Sequence, residues 1–262
     1  MKDWDINIYR GVLTGFNDAF IISGEKRKEI LAKCKSEDER KRTDDLIRPI
    51  LRGRDIKRYE YSFADLYLIN THNGVKDKNI PRIDIKDYPA VKKHLDEYWD
   101  KISTRADKGD TPYNLRNCAY MDEFNKPKIC WAELSRTGNS FVFDNARMFL
   151  GNTGYILTSQ TTDLKELKYL LCFMNSRIIL YYLDLICTRF DDNGWRWLRQ
   201  FVENIPIPKM NNDNSLKLLK IVENINKQNQ KELSNKINEL VAEIYGLAEK
   251  ELDYINNYLY KY

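Results

Sequence analysis

The sequence predicts an α+β fold, in which a mixed, mainly antiparallel β-sheet is flanked by helices and followed by a C-terminal helical hairpin. Three observations predict it: short apolar runs separated by turn residues in the middle of the chain, polar helical stretches before them, and Asn-, Lys-, Glu- and Leu-rich segments of helical periodicity after them. The 262 residues, 42% of them hydrophobic, include 17 Tyr, 10 Phe and 5 Trp, so there is ample material for a core.

The first predicted elements are a turn, a strand and two helices. Residues 11–23 contain a Gly-rich turn that should lead into a short strand, and two polar helices should follow. Ser36, with Glu39 three positions later, has the spacing of a capping box at the start of the second helix. Pro49 should end this helical run, because proline cannot continue a helix.

The next elements are one strand and one helix. Residues 63–70 are compact and apolar, which favours a strand. Pro89 suits the first helical position, where its missing N–H costs nothing, and opens a helix that should reach residue 102. One face of this helix would carry Val91, Leu95, Tyr98 and Ile102.

The centre of the chain has a β-like pattern. Residues 128–134 predict a strand, and the turn residues 135–139 would return the chain into a hairpin partner at 140–143. A second turn at 151–154 should precede a strand at 155–158. These segments together predict an antiparallel sheet.

The remaining elements are helical. Residues 164–187 predict one apolar helix, whose polar residues favour burial in protein over a membrane span. The double Ile-Pro at 205–208 cannot continue a helix. We therefore predict a boundary there, between a domain of residues 1–208 and a helical extension of residues 209–262. The extension should form two amphipathic helices, the second ending at Gly246, and a short third one.

Missing motifs exclude several classes of enzyme. No two glycines stand two residues apart, so the sequence has neither a dinucleotide-binding fingerprint nor a kinase glycine loop, and it has no P-loop motif. Only two histidines, His72 and His94, are present, which disfavours a zinc site or a His-based triad. The five cysteines lack paired spacing and the N-terminus lacks an apolar signal core, so we expect a cytoplasmic protein.

Charge is concentrated locally. Lys and Arg number 43 against 39 Asp and Glu, so a uniformly basic nucleic-acid coat is excluded. Residues 48–59, however, place five cations around Gly53, where arginine forks match phosphate oxygens or a guanine edge and glycine allows close approach. The alternative is a solvated basic segment that balances the acidic residues 37–45.

Two further clusters combine cations with aromatic side chains. The first lies on a Gly- and Pro-punctuated loop, where binding residues tend to occur, and contains Arg105, Lys108, Tyr113, Asn114 and Arg116. The second contains Trp195, Arg196, Trp197 and Arg199. Arg and aromatic rings can bind nucleic acid, but Trp is also a common core residue.

One weak catalytic pattern is present. Asp84-Ile85-Lys86 has the D-x-K form of a metal-dependent nuclease half-site, and Asp65 or Asp77 could supply a second carboxylate. Such triplets are frequent by chance in a chain with 31% charged residues. The alternative is a solvated loop between two prolines.

The segments in order resemble the TaqI-like C-terminal specificity domain, the target-recognition part of adenine-specific DNA methyltransferases and of type IIG restriction-modification enzymes. The matching pieces are GVLTGFNDAFII (11–22), RPILRGRDIKRY (48–59), YPAVKKHL (88–95), DKGDTPYNLRNCAY (107–120), KPKICWAEL (126–134), GNTGYILTSQ (151–160), LLCFMNSRIILYY (170–182) and ENIPIP (203–208). Residues 237–255 also resemble the family's helical ending, so the resemblance covers nearly the whole chain.

The resemblance implies a non-catalytic module that recognises a specific sequence of double-stranded DNA through the major groove. It implies an upstream methyltransferase domain or subunit that binds S-adenosylmethionine and methylates N6 of adenine, with an endonuclease that uses Mg²⁺ as an optional addition. No cofactor or metal is expected in this chain, which would be a fragment or a split-gene subunit of a prokaryotic, DNA-associated system.

Which residues would contact DNA follows from the clusters together with the resemblance. The candidates for base or phosphate contacts are Asn17, Arg52, Arg54, Lys57, Arg105, Asn114, Arg116, Lys128 and Asn152. Lys128 could reach a phosphate from its strand, and the two turn residues Asn17 and Asn152 could instead adopt left-handed backbone conformations. Besides the nuclease, one further alternative is a protein-interaction module, in which the helical extension binds a partner and the basic loops only promote solubility.

Overall fold

The computed structural model describes residues 1–161, 163–191, 194–210 and 213–259. The β-strands are β1 Ile6–Arg10, β2 Ile21–Ser23, β3 Ile47–Leu51, β4 Leu66–Ile69, β5 Lys128–Ala132, β6 Leu134–Ser135, β7 Phe141–Asp144, β8 Phe149–Leu150, β9 Gly154–Ser159, β10 Arg189–Asp191 and β11 Gly194–Arg196. The α-helices are α1 Asn17–Phe20, α2 Gly24–Ala32, α3 Glu37–Leu46, α4 Pro89–Asp96, α5 Trp99–Ile102, α6 Leu164–Met174, α7 Arg177–Ile186, α8 Arg199–Val202, α9 Asp213–Glu223, α10 Gln230–Tyr245 and α11 Glu249–Leu259.

The strands form three sheets, and the predicted α+β class with mainly antiparallel pairing is confirmed. The central sheet has the order β1-β9-β5-β7 and is antiparallel throughout. A second sheet has the order β2-β4-β3-β8, in which only the β3–β8 pair is parallel. A small third sheet has the order β10-β11-β6. The predicted hairpin between 128–134 and 140–143 is the β5–β7 pair.

The central sheet is covered on both faces. Its side chains alternate between two cores, as the two-residue period of a strand requires: Ile129 and Trp131 of β5 belong to one core, and Cys130 belongs to the other. Strand β9 alternates in the same way and is buried along its whole length. The central sheet is therefore the partition between the two cores.

The first core lies between the central sheet and the helices α6, α7, α9, α10 and α11, and we call it the helical core. Leu218 of α9 and Val241 of α10 are fully buried in it beside Leu170 and Phe173 of α6. The predicted end of α10 is confirmed, since Gly246 adopts the left-handed conformation with φ of 67°. The division of the chain at residue 208 stays a prediction.

The second core lies between the central sheet and the second sheet with helices α1 to α5. Ser36 caps α3 as predicted, with its Oγ accepting a bond from Glu39 N at 3.1 Å. Pro49 lies inside β3, paired with Tyr67, because the helix has already ended at Leu46. The predicted helix from Pro89 is interrupted between α4 and α5, although Val91, Leu95 and Ile102 are fully buried as expected.

The apolar helix predicted for 164–187 is two helices, which meet at a bend of 70°. The break has a local cause. Asn175 uses its amide to bond both backbone groups of Phe141, at 3.0 and 2.8 Å, and Ser176 Oγ accepts a bond from Ile179 N to start the next helix. No single helix among the described residues is long and apolar enough to cross a membrane.

The tryptophan cluster belongs to the core. Trp195 and Trp197 are 3% and 1% exposed and their rings stack at 5.7 Å. Trp131 Nε1 donates to Trp197 O at 2.8 Å, which ties the segment after β11 to the central sheet. The core interpretation of these tryptophans, left open by the sequence, is therefore the one that the structure supports.

Candidate nucleic-acid interface

A cleft of about 570 Å³ opens beside the edge of the central sheet at which β1 and β5 end and β9 begins. We call it the inter-sheet cleft, because the turn after β3 and the connection from β8 to β9 form its other wall. Its charged and amide side chains are Arg10, Asn17, Arg52, Arg54, Glu133 and Asn152. Four residues predicted from distant parts of the sequence, at 17, 52, 54 and 152, therefore come together.

At Gly53 the turn after β3 packs closely against both the connection from β8 to β9 and the end of β5. The backbone N of Gly53 donates to Thr153 Oγ1 at 3.1 Å. A Cβ at this position would lie 3.0 Å from Thr153 O and 3.2 Å from Ala132 Cβ. These distances are shorter than most contacts that Cβ atoms make in proteins. The glycine in the basic segment thus allows protein backbones to approach each other, and it places the arginines on either side of it at the cleft.

Arg52 is held in place by an intramolecular ion pair. Its Nε and Nη2 donate to the carboxylate of Asp55 at 3.0 and 2.7 Å, and its backbone N donates to the same group at 2.8 Å. Burial alone would raise the pKa of Asp55, but the bonds from Arg52 lower it below its usual range. Arg52 therefore fixes the shape of the turn that carries the next arginine.

Arg54 lies in the same short turn, Gly53–Asp55, but its side chain is exposed. Among the described residues it forms no ion pair and no side-chain hydrogen bond. Its guanidinium fork, with five donors, is directed at solvent beside the cleft and remains available to a ligand. Arg54 is therefore the candidate with the strongest structural support.

The opposite wall carries a second fixed ion pair. Arg10 Nη2 lies 2.6 Å from Glu133 Oε2, and Arg10 Nε donates to Asn152 O at 3.0 Å. The Oδ1 of Asn17 accepts a bond from Thr14 Oγ1 at 2.7 Å, which leaves its amide N–H groups for a ligand. The side-chain amide of Asn152 has no partner among the described residues. Both asparagines have φ below zero, so neither adopts the left-handed turn conformation.

Three of the sequence-predicted residues, Arg105, Asn114 and Lys128, are buried in the protein and lie away from the cleft. Arg105 is 7% exposed, donates to the backbone oxygens of Asp107 and Pro112, and stacks over Phe20 at 4.4 Å. Burial lowers its pKa to about 10. Asn114 is 1% exposed and donates to Ile83 O at 2.9 Å. Both side chains tie the loop to the second core and offer no surface to DNA.

Lys128 is fully buried. Its Nζ donates to Phe124 O at 2.7 Å and forms an ion pair with Asp144. The sequence pattern placed this residue correctly on a strand, but the strand belongs to the central sheet, both faces of which are covered. A phosphate cannot reach its ammonium group here, so Arg105, Asn114 and Lys128 are not carried into the proposal below.

The last two candidates are exposed but lie outside the inter-sheet cleft. Lys57 has no side-chain partner among the described residues, and Arg116 forms an ion pair with Asp107 at 3.2 Å. Sequence reasoning missed Arg10, Glu133 and Leu134, which line the cleft. Glu133 and Leu134 lie at the end of a predicted strand, but Arg10 lies in a stretch for which no element was predicted. The proximity of all three to Arg54 arises from the packing of the sheets.

The D-x-K pattern has a local structural role. Asp84 Oδ1 accepts a bond from Lys86 N at 3.0 Å and so caps the short turn Ile85–Asp87. Within the described part of the chain, no group of three or more His, Cys, Asp or Glu side chains is arranged to hold a metal ion. No observation in the structure favours the nuclease alternative.

Comparison with known proteins identifies one matching family model. The model of the TaqI-like C-terminal specificity domain matches residues 48–207, more than half of the chain. No curated protein sequence matches the chain. The match includes the turn with Arg52 and Arg54 and the connection with Asn152, but not Arg10 or Asn17.

The solved structures that share the fold include two restriction-modification enzymes. The type IIL restriction-modification enzyme MmeI, solved in complex with DNA, superposes with a TM-score of 0.66 and 11% identity, over 96% of this chain and 36% of that one. The type IIG restriction endonuclease BpuSI superposes with a TM-score of 0.52 and 12% identity, over 92% of this chain and 31% of that one. The chain thus spans about a third of the length of either enzyme.

Proposed function

The chain belongs to the family of TaqI-like C-terminal specificity domains, and from this premise we propose that it recognises a specific double-stranded DNA sequence through the inter-sheet cleft. In this proposal it contributes no catalytic group. It positions an N6-adenine methyltransferase domain or subunit, and where present an endonuclease, of a type II or IIG restriction-modification system in a prokaryotic cytoplasm.

The observation that carries the proposal is the chemistry of the cleft. Arg54 presents a guanidinium fork that has no partner in the described part of the chain and suits the O6 and N7 acceptors of guanine. Asn17 and Asn152 present amides of the kind that pair with adenine. Ile21, Ala132 and Leu134 add apolar surface, to which a thymine methyl group can pack. A base edge needs both kinds of contact.

The fixed ion pairs support the same function. Arg52 with Asp55, and Arg10 with Glu133, hold both walls before any ligand binds. Because these side chains are already ordered, binding DNA costs less conformational entropy than ordering them would require. A rigid cleft also discriminates better between base pairs, since a wrong base leaves polar groups unpaired.

Separating recognition from chemistry has a physical rationale. N6 methylation requires the target adenine to leave the base stack, which costs a few kcal/mol, so the flanking duplex must be held in one register. Each good bidentate contact discriminates by roughly 1–3 kcal/mol, and a few such contacts define a site of several base pairs. S-adenosylmethionine would supply the methyl group from the other domain, and none of this chain's residues is proposed to bind it.

The test is selection from a random-sequence duplex pool by the full chain, followed by sequencing and binding measurements by fluorescence anisotropy. We expect enrichment of one short motif and affinity that falls steeply as salt rises. Arg54→Ala should relax the preference at one base pair by about 5- to 150-fold, the equivalent of roughly 1–3 kcal/mol.

Arg40→Ala is the matched control, because Arg40 is an exposed arginine on α3 outside the cleft. It should leave both the motif and the affinity unchanged. A pool without enrichment, or a chain that does not bind duplex DNA at low salt, would overturn the proposed function. If Arg54→Ala weakens all sequences equally, Arg54 contacts phosphate and the base readout lies with the asparagines.

A further inference from the structure

A second and larger cleft, of about 780 Å³, lies next to the first. It is bounded by the turn after β6, the start of α7 and the first half of α10, and we call it the basic cleft. Its cations are Arg58, Arg136, Arg177, Lys227 and Lys231. Among the described residues that line it there is no Asp or Glu. Such a lining favours an anion.

The cations come from the segment after β3 (Arg58), the turn after β6 (Arg136), the start of α7 (Arg177), and α10 with the residues just before it (Lys227 and Lys231). Lys231 forms no ion pair within the described ranges, and Lys227, 76% exposed, lies 3.7 Å from the Glu60 carboxylate, a distance at which an exposed pair contributes little. Arg136 pairs with Asp191 at the rim. Arg58 is oriented by Asn139 Oδ1 at 2.6 Å, and both burial and the neighbouring charge of Arg177 lower its pKa.

Neutral donors accompany the cations. The amide side chains of Gln230, Asn235 and Asn238 line the same cleft. Ser234, 8% exposed, also lines it, beside the hydroxyl group of Tyr59. Helices α7 and α10 both begin at this cleft, so the positive ends of two helix dipoles lie beside it. These groups match the oxygens of a phosphate.

Neighbouring residues of two chain segments line the two clefts. Arg54 lines the inter-sheet cleft and Arg58 the basic cleft, and Leu134 and Arg136 are divided in the same way. Four residues of chain span at most roughly 14 Å, which corresponds to about four phosphates of one DNA strand at about 3.4 Å each along the axis. A duplex whose bases enter the first cleft would therefore bring its backbone past the second.

We propose that the basic cleft binds the phosphodiester backbone of the DNA whose bases are read in the inter-sheet cleft. This inference rests on the proposed function. The site contributes affinity without sequence preference, because phosphates carry no base identity. A stacked base is a poorer fit, since Trp195, the one aromatic residue among the described residues of the lining, is itself 3% exposed and packed in the core.

The experiment compares the double variant Lys227→Gln, Lys231→Gln with wild type on the selected duplex and on a scrambled duplex, from about 50 to 300 mM salt. Each lost phosphate contact reduces the slope of log affinity against log salt by about 0.9, so we expect a reduction of about 2. The affinity for both duplexes should fall by the same factor, leaving the preference for the selected sequence unchanged.

The control is Lys220→Gln, Lys236→Gln, which removes the same charge from exposed positions on α9 and α10 outside the cleft. It should reproduce the wild-type slope. If the wild-type chain binds DNA but the two double variants have equal slopes of log affinity against log salt, the basic cleft does not bind the DNA backbone. The proposed function would stand in that case. A changed sequence preference in Lys227→Gln, Lys231→Gln would overturn the backbone assignment. A wild-type chain that binds neither duplex overturns this inference together with the proposed function.

Discussion

Lys128 and Asp144 form an ion pair whose side chains are both fully buried in the central sheet. We expect Lys128→Met to lower the free energy of unfolding by about 3–5 kcal/mol, because it leaves the Asp144 carboxylate buried without its countercharge. Urea denaturation followed by tryptophan fluorescence measures this loss. DNA affinity per folded molecule should not change, since the residue lies away from both clefts.

Lys126→Met provides the comparison for Lys128. Lys126 lies two residues earlier and pairs with Glu123, but its side chain is 42% exposed. Glu123 is only 10% exposed, but it still accepts a bond from Thr158 Oγ1 at 2.7 Å when Lys126 is lost. Because Lys126 itself is exposed, its loss should cost about 0–1 kcal/mol, several-fold less than the loss of Lys128. Equal losses of free energy of unfolding in the two variants would contradict the structural role of Lys128. A reduced salt dependence of DNA binding in Lys128→Met would show that Lys128 contacts DNA.

His94 links stability to pH. Its Nε2 lies 3.0 Å from Ala19 O, its Nδ1 has no partner among the described residues, and burial lowers its pKa. The unfolded chain therefore binds a proton first, at a pKa of about 6.5. The contribution of His94 to stability should be complete above that pH and be lost as the pH drops from about 6.5 towards the lower folded pKa. Burial lowers the pKa of His72 too, which adds to the same trend.

The measurement is the urea midpoint between about pH 7.5 and 5.5, a window chosen around the ordinary histidine pKa and above those of the carboxyl groups. In His94→Gln, the side-chain amide can still donate to Ala19 O. The urea midpoint of this variant should fall less than that of wild type across the window, because of the two histidines only His72 still contributes. A wild-type midpoint that does not fall across this window would show that neither histidine is held neutral by the fold.

At the scale of elements, the two large sheets are joined where β1 passes the connection between β8 and β9. Val12 N donates to Leu150 O at 2.7 Å. A Cβ on Gly11 would lie 2.1 Å from Gly151 O and 2.5 Å from Leu150 O, which are backbone atoms that cannot rotate away. Gly11→Ala should therefore destabilise the protein by about 1–3 kcal/mol or more, and it should weaken DNA binding by displacing Arg10.

Gly151→Ala tests the opposite side of the same contact. A Cβ there would meet only Leu51 O, at 3.7 Å, which is ordinary van der Waals contact. This substitution should change the free energy of unfolding by less than about 1 kcal/mol, measured in the same urea titration. The close approach of the sheets would be refuted if the two alanine variants were equally stable.

At the scale of the whole molecule, the C-terminal helices are expected to unfold together with the sheets. Helices α9 and α10 bury Leu218, Ile237 and Val241 in the helical core, whose other wall is the central sheet. Circular dichroism at 222 nm, which follows the helices, and tryptophan fluorescence, which follows the sheet region, should therefore report one coincident transition. An earlier transition seen only by circular dichroism would support an independent unit after residue 208.

The elements that could be predicted are those with strong local signals. The strand within 128–134, the Ser36 cap and the turn at Gly246 depend on neighbours along the chain, and the structure confirms each. The break after Met174 could not be predicted in this way. It depends on Asn175 bonding to Phe141, 34 residues away in the sequence, and the local apolar pattern continues across it.

The candidate site shows the same division. Residue type alone selected Arg54, Asn17 and Asn152, which do line one cleft, and it equally selected Arg105, Asn114 and Lys128, which are buried. A cation that binds DNA and a cation that bonds buried carbonyl groups have the same side chain. What distinguishes them is exposure and the presence of a partner, and both are set by residues distant in the sequence.

By itself, the sequence determined the α+β class, most of the helices, five of the strands and the family, because these depend on periodicity, turn chemistry and the order of short segments along one chain. Only the tertiary structure decided which charges are free and which are neutralised, and it alone brought Arg10, Arg54 and Asn152 to one cleft. The physical reason is that burial and electrostatic pairing are properties of the space between elements, and that space exists only after the sheets have packed.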